Sequence, residues 1–289
     1  MKTRNFYFKE ISIMFRNLLV ALFLTFTAAV GHAIPQQRCS INMAYLPQWI
    51  CNQDDGTACS VTDAEVNQMY WPGSSCGLTT VNEDATDAVA WVQVTANGGW
   101  AVSGDATDDE GIQILIGASN STQSNGPCVF SPGQAYYMKA TFSLPVVADY
   151  DVAIVGFRND GAFTSSGTVD DVAEWNTTTP VYDDFAVFNI NAGDWRIYTQ
   201  DDGGTATDTN ITTTTAVGET FYTVMVKVST AGAVTYFVDG VNQATSNGAV
   251  AFTLDQAAAD LMVPTVVFAR GAAGTDSMPV IKLLECGLQ

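Results

Sequence analysis

An all-β sandwich is the fold class this sequence predicts, and three observations point to it. From about residue 83 onward, short runs rich in Val, Ile, Thr, Tyr and Phe are split by clusters of Gly, Asn, Asp, Ser and Thr. That texture belongs to strands joined by turns. No long stretch repeats its apolar residues at the 3.6-residue helical period. Roughly eleven strands in one domain exceed what a twisted open sheet usually holds, so they form two packed sheets or a closed barrel.

In chain order the predicted strands are Ala88–Val94, Ile112–Ile116, Tyr136–Leu144, Asp151–Phe157, Asp184–Ile190, Trp195–Thr199, Thr220–Val228, Val234–Val238, Ala249–Leu254, Val263–Ala269 and Val280–Glu285. Two hairpins are legible: Phe185–Ile190 turns through Asn191–Asp194 into Trp195–Tyr198, and Val234–Val238 enters an Asp239-Gly240 turn. Two short helices are predicted, Val61–Tyr70 with Thr62 as N-cap and Leu254–Met262 capped by Asp255.

Residues 1–33 read as a cleavable secretory signal peptide. Lys2, Arg4, Lys9 and Arg16 form a positive start, Leu18–Val30 is an apolar run, and Gly31-His32-Ala33 offers small residues for cleavage before Ile34. The run is shorter than the roughly 20 residues a membrane helix needs. Cleavage would remove those four bases and Glu10, taking the net charge from −19 to −22. Such a chain repels nucleic acid and anionic membranes. The only histidine, His32, would leave too, which excludes an imidazole base and a His-ligated metal site after cleavage.

Six cysteines follow: Cys39, Cys51, Cys59, Cys76, Cys128 and Cys286. An even number in an exported chain argues for disulfides, which an oxidising compartment preserves. Four of them fall in an irregular segment, 34–82, which reads as stapled ahead of the sandwich at 83–289. Cys51 and Cys59 bracket a turn-rich loop and suit local pairing; Cys286 must reach back, with Cys128 and Cys76 as candidates.

Residues 183–240 carry a resemblance. Asp183-Asp184-Phe185, the Asn191–Trp195 turn, Thr207-Asp208-Thr209, Phe221–Val228 and Val234–Gly240 follow in that order. This pattern resembles the concanavalin A-like (laminin-G-like) jelly roll, and is particularly similar to lectin-like domains of phage and other virion structural proteins. The resemblance covers residues 85–286 loosely. It implies a two-sheet antiparallel jelly-roll sandwich, often with a sugar-binding or assembly surface.

Related folds also carry glycoside hydrolases and lyases. A hydrolase needs two carboxylates about 5–5.5 Å or about 6.5–9.5 Å apart. The Glu-x-Asp-x-(x)-Glu order of the related hydrolases is absent; the nearest run, Asp170–Glu174, reads as a solvated loop. For a lyase only Tyr136, Tyr137 and Arg158 stand as candidates. The expectation is therefore a protein that is not an enzyme.

Calcium wants several oxygen ligands, and acidic loops supply them: Asp105, Asp108, Asp109 and Glu110 in one, Asp170–Glu174 in a second, and Asp201, Asp202 and Asp208 in a third. Calcium is the one cofactor this composition suits. Sugar recognition would use aromatic platforms beside amides, for which Trp71, Trp100 and the Trp175-Asn176 pair are the candidates. Sequons at Asn120, Asn176 and Asn210 are glycosylation acceptors in a eukaryotic source. The expected function is a secreted, non-catalytic, lectin-like sandwich whose partner is carbohydrate or an attachment surface. The alternatives are a self-assembling subunit of a virion or extracellular filament, and a carbohydrate-active enzyme.

Overall fold

Alternation of buried and half-exposed side chains marks the strands that have one face open to water. In Tyr136–Ser143, Tyr136, Met138, Ala140 and Phe142 are buried while Tyr137, Lys139 and Thr141 are half-exposed. That is the period of two expected of a strand with one face in a core and one in water. The computed structural model describes residues 38–43, 60–62, 77–82, 90–94, 98–103, 111–116, 128–159, 182, 184–191, 193–201, 206–210, 216–243, 251–254, 261–270 and 279–289.

The strands among these residues are β1 (Arg38–Asn42), β2 (Ser60–Val61), β3 (Leu78–Asn82), β4 (Ala90–Gln93), β5 (Trp100–Ser103), β6 (Gly111–Ile116), β7 (Tyr136–Ser143), β8 (Tyr150–Asn159), β9 (Phe185–Asn191), β10 (Asp194–Gln200), β11 (Thr207–Asn210), β12 (Tyr222–Val228), β13 (Val234–Val238), β14 (Val241–Asn242), β15 (Met262–Arg270) and β16 (Val280–Leu288). They form two sheets, and every named strand pairing is antiparallel.

The nine-stranded sheet runs β14-β13-β12-β7-β16-β5-β4-β2, with β1 also on β16; the seven-stranded sheet runs β11-β10-β9-β8-β15-β6-β3. One edge of β16 serves two strands: β5 pairs at Val280 and Ile281, and β1 at Leu283–Gly287. Pro264 sits within β15 opposite Phe157 of β8, and pairing with β6 begins only at Thr265, so its missing N–H costs the β15–β6 ladder nothing.

The core lies between the sheets. Phe130, Tyr136 and Phe157 cluster with centroids 4.6–5.9 Å apart. Phe188 of the seven-stranded sheet meets Tyr236 of the other edge-on at 5.2 Å, within the separations aromatic pairs favour. Gln37–Gln289 is one compact unit, and the architecture is the antiparallel jelly-roll sandwich of the sequence reading.

Both hairpins are present. Asp194 pairs with Asn191. Asp239 and Gly240 both take positive φ, 49° and 81°, which identifies the tight turn whose twist suits a two-residue hairpin. Other expectations need correction. Val61 ends β2 and Met262 opens β15, so both predicted helices abut or overlap strands; their interiors lie outside the described residues. Of the predicted strand Ala249–Leu254, the described residues 251–254 carry one bridge, Thr253 with Ala233. β1, β3, β5 and β11 are too short or too polar to stand out from a turn-rich background.

Cys128 and Cys286 form a disulfide. Cys39, opposite Cys286 in the β1–β16 register, is also disulfide-bonded, and no described cysteine is free. Cys51, Cys59 and Cys76 lie outside the described residues.

Candidate functional site: the outer faces of the two sheets

Each sheet turns one face to the core and one away. On the seven-stranded sheet the outer face is closed. Val152, Ile154, Phe185, Val187, Tyr198 and Val267 form a second apolar cluster there, and Gln113, Arg158 and Thr265 are fully buried with it. Gln113 donates to the Thr265 hydroxyl at 2.6 Å. The Arg158 guanidinium stacks 4.2 Å above the Tyr182 ring and donates to the Asn159 carbonyl. Burial raises the Tyr182 phenol above its ordinary value, against the opposing pull of the Arg158 charge. These groups are held inside the protein rather than offered to a ligand.

The nine-stranded sheet is different. Ser40, Glu285, Lys139, Met225, Phe237 and Asn242 stand side by side across its outer face, one per strand. The neighbouring row is Arg38, Gly287, Tyr137, Lys227 and Thr235. A third contains Thr141 and Thr223, whose hydroxyls are 3.0 Å apart. Apart from Glu285 and Gly287, which are buried, these side chains are half-exposed or exposed, so the face offers water a mixture of hydroxyls, amides, rings and ammonium groups.

Glu285 organises one end. Its carboxylate accepts from Arg38 and from the Tyr137 hydroxyl, both at 2.7 Å. Burial opposes its ionisation, yet the bonds from Arg38 and Tyr137 outweigh that and hold the carboxyl below its usual range. The same contact raises the Tyr137 phenol: burial first, then the bond to and charge of Glu285, push it up to about 12.

The lysines are arranged otherwise. Among the described residues the ion pairs are Arg38–Glu285 and Arg196–Asp208, and no lysine takes part. Lys282 Nζ lies 3.5 Å over the Phe221 ring, and Lys227 Nζ is 5.6 Å from the Phe237 centroid. Lys139 stands between Glu285 and Met225 in its row.

The residues singled out from sequence fare unevenly. Trp100 is fully buried in β5, which corrects its reading as an exposed sugar platform: the strand turns this ring into the core. Asp208 ion-pairs with Arg196 through Oδ2. Asp201 is half-buried just after β10, and Asn210 pairs with Arg196 at the end of β11. Trp71, Trp175, Asn176, Asn120, Asp105, Asp108, Asp109, Glu110 and Asp202 lie outside the described residues. Of the lyase candidates, Tyr136 packs against Phe130, Tyr137 is tied to Glu285 and Arg158 is buried. Sequence reasoning missed Lys139, Lys227, Lys282 and Glu285. The alternation in YYMKATFS and YTVMVKV was the available signal for the first two.

No known family and no curated protein matches the sequence. Solved structures do resemble the chain. A protein of unknown function from Shewanella oneidensis MR-1 is similar over 87% of this chain and 85% of its own, at 14% identity and a TM-score of 0.47. A lectin from Bauhinia forficata, solved with GalNAc, is similar over 81% and 99% at 11% identity, TM-score 0.44. A carbohydrate esterase from the Shiga toxin-encoding bacteriophage phi24B is similar over 81% and 100% at 12% identity, TM-score 0.43.

Proposed function

We propose that this protein is an exported, non-catalytic, lectin-like sandwich that binds carbohydrate at a surface outside the cytosol. The observation that carries the reading is the outer face of the nine-stranded sheet. There a rigid ladder displays Thr141, Thr223, Thr235, Asn242 and the rings of Tyr137 and Phe237 to solvent. Hydroxyl and amide groups give a sugar directional hydrogen bonds, and rings give its apolar face something to lie on. The signal-like N-terminus and the Cys128–Cys286 disulfide support export. No helix among the described residues is long and apolar enough to cross a membrane.

The test is a glycan array probed with the processed chain, once in calcium and once in chelator. Retention of at least one glycan class is expected. Retention that vanishes in chelator would place calcium in the acidic loops, with Asp105–Glu110 and Asp201–Asp202 the segments to mutate. No glycan retained in either buffer would overturn the proposal.

A further inference from the structure

Three lysines follow residue 33: Lys139 and Lys227 lie on the outer face of the nine-stranded sheet, and Lys282, in the irregularity of β16 between Ile281 and Leu283, stacks over the Phe221 ring beside that face. Arg38 joins them, so this face and its border hold four of the seven bases beyond the leader. The three ammonium groups lack a carboxylate partner among the described residues. The described acids on this face are otherwise engaged. Glu285 is held by Arg38 and Tyr137, and Asp239, at the rim, accepts from the Thr223 amide.

We infer that this face binds a polyanionic glycan, one carrying carboxylate or sulfate groups along its chain. The inference rests on the carbohydrate reading above and names the ligand class for the same site. Lys139 and Lys227 are diagonal neighbours on β7 and β12, about 7–8 Å apart at the backbone. Lys282 sits toward the far end of the same strands, near Phe221. From the row of Lys227 to that of Phe221 is six residues, roughly 20 Å along a strand. Cations spread over that length suit a polymer with repeated charges better than a single small anion. Lysine heads on flexible stems meet such charges without demanding one geometry. The ring contacts of Lys227 and Lys282 hold two of them in place when no ligand is bound.

The occupant is tested with polygalacturonate, dextran sulfate and neutral dextran against the processed full chain. The two polyanions should bind, and dextran should bind at least about tenfold more weakly, with polyanion affinity falling as salt rises from about 50 to about 200 mM. A Lys139→Gln, Lys227→Gln, Lys282→Gln variant should lose about tenfold or more in polyanion affinity, since each ammonium removed deletes a charge contact. The matching triple Arg variant should keep it, which separates charge from fold. Equal binding of dextran, untouched by the Gln variant, would overturn the inference and leave the carbohydrate reading standing. No binding to any of the three, with an empty glycan array, would end both. Self-association that the Gln variant abolishes would instead make the occupant an acidic segment of a second copy, and would overturn the glycan assignment.

Discussion

Glu285 shows how one side chain can set the chemistry of its neighbours. It lies at a register position opposite Lys139 and Ser40, yet its two oxygens are taken by Tyr137 and Arg38. The Tyr137 phenol, raised to about 12, is neutral in the folded state where an unfolded tyrosine has begun to ionise. A raised folded value stabilises below the unfolded one, about 10, and that stability is lost as pH rises toward 12. Glu285→Gln removes the carboxylate that holds the proton on Tyr137. In the variant the Tyr137 phenol should titrate closer to the ordinary value, read by ultraviolet absorbance against a Tyr137→Phe control. An unchanged titration would mean that burial alone sets the shift. Gly156 makes a second residue-scale case. A Cβ there would lie 2.6 Å from Val187 Cα and closer still to the Ala186 carbonyl, a backbone clash that no rotamer relieves. Gly156→Ala should destabilise by about 1–3 kcal/mol, measured by denaturant unfolding; a change under half that would show that β8 and β9 separate easily.

Among the elements, β16 ties the nine-stranded sheet together. It pairs with β7 along its length, with β5 at one end and with β1 at the other, and Cys286 joins it to Cys128 over 158 residues of sequence. A crosslink closing so long a loop removes much freedom from the unfolded chain. Replacing Cys128 and Cys286 together by Ser should therefore lower stability by about 2–5 kcal/mol, read as a drop in Tm. An unchanged Tm would mean that the ladder of β16 suffices alone. The long strands were legible in the sequence for two reasons: β7 and β12 alternate at a period of two, and β8, β9 and β15 are near-continuous runs of Val, Ile, Phe and Ala, buried on both faces. β2 and β14 have two residues each and carry no period at all. β11 reads TDTN, and polar residues in a strand at the sheet edge look like loop. The candidate site was half-legible for a related reason. Alternation assigns Lys139 and Lys227 to an outer face. Which strands lie beside them, and hence that Arg38 shares that face and Lys282 borders it, depends on a long-range strand order that no local pattern encodes. Trp100 was misread because its strand, WAVS, is too short to reveal which side faces the core.

At the scale of the whole molecule, charge acts in two directions. A net charge of −19 makes the folded chain repel itself, since compaction brings like charges together. The outer face of the nine-stranded sheet is the local exception, where Lys139, Lys227 and Lys282 lack acidic partners among the described residues. Salt screens both effects, with opposite consequences. Over tens of ångströms self-repulsion is screened within a Debye length of about 10 Å at 0.1 M. Raising sodium chloride at pH 7 should therefore increase Tm, because the folded state loses more repulsion than the expanded one. The same salt should weaken polyanion binding, because it screens an attraction between exposed charges. The pair of measurements on one sample, Tm by calorimetry and affinity by titration, should move in opposite senses across the same salt series. The Arg38–Glu285 and Arg196–Asp208 pairs work against the first trend, but Arg38 is largely exposed and contributes little. A Tm that falls steadily with salt would mean that attractive pairs, not net repulsion, dominate the folded state. The lysine face would then lose its standing as an exception, because its cations would belong to a surface already balanced by acids.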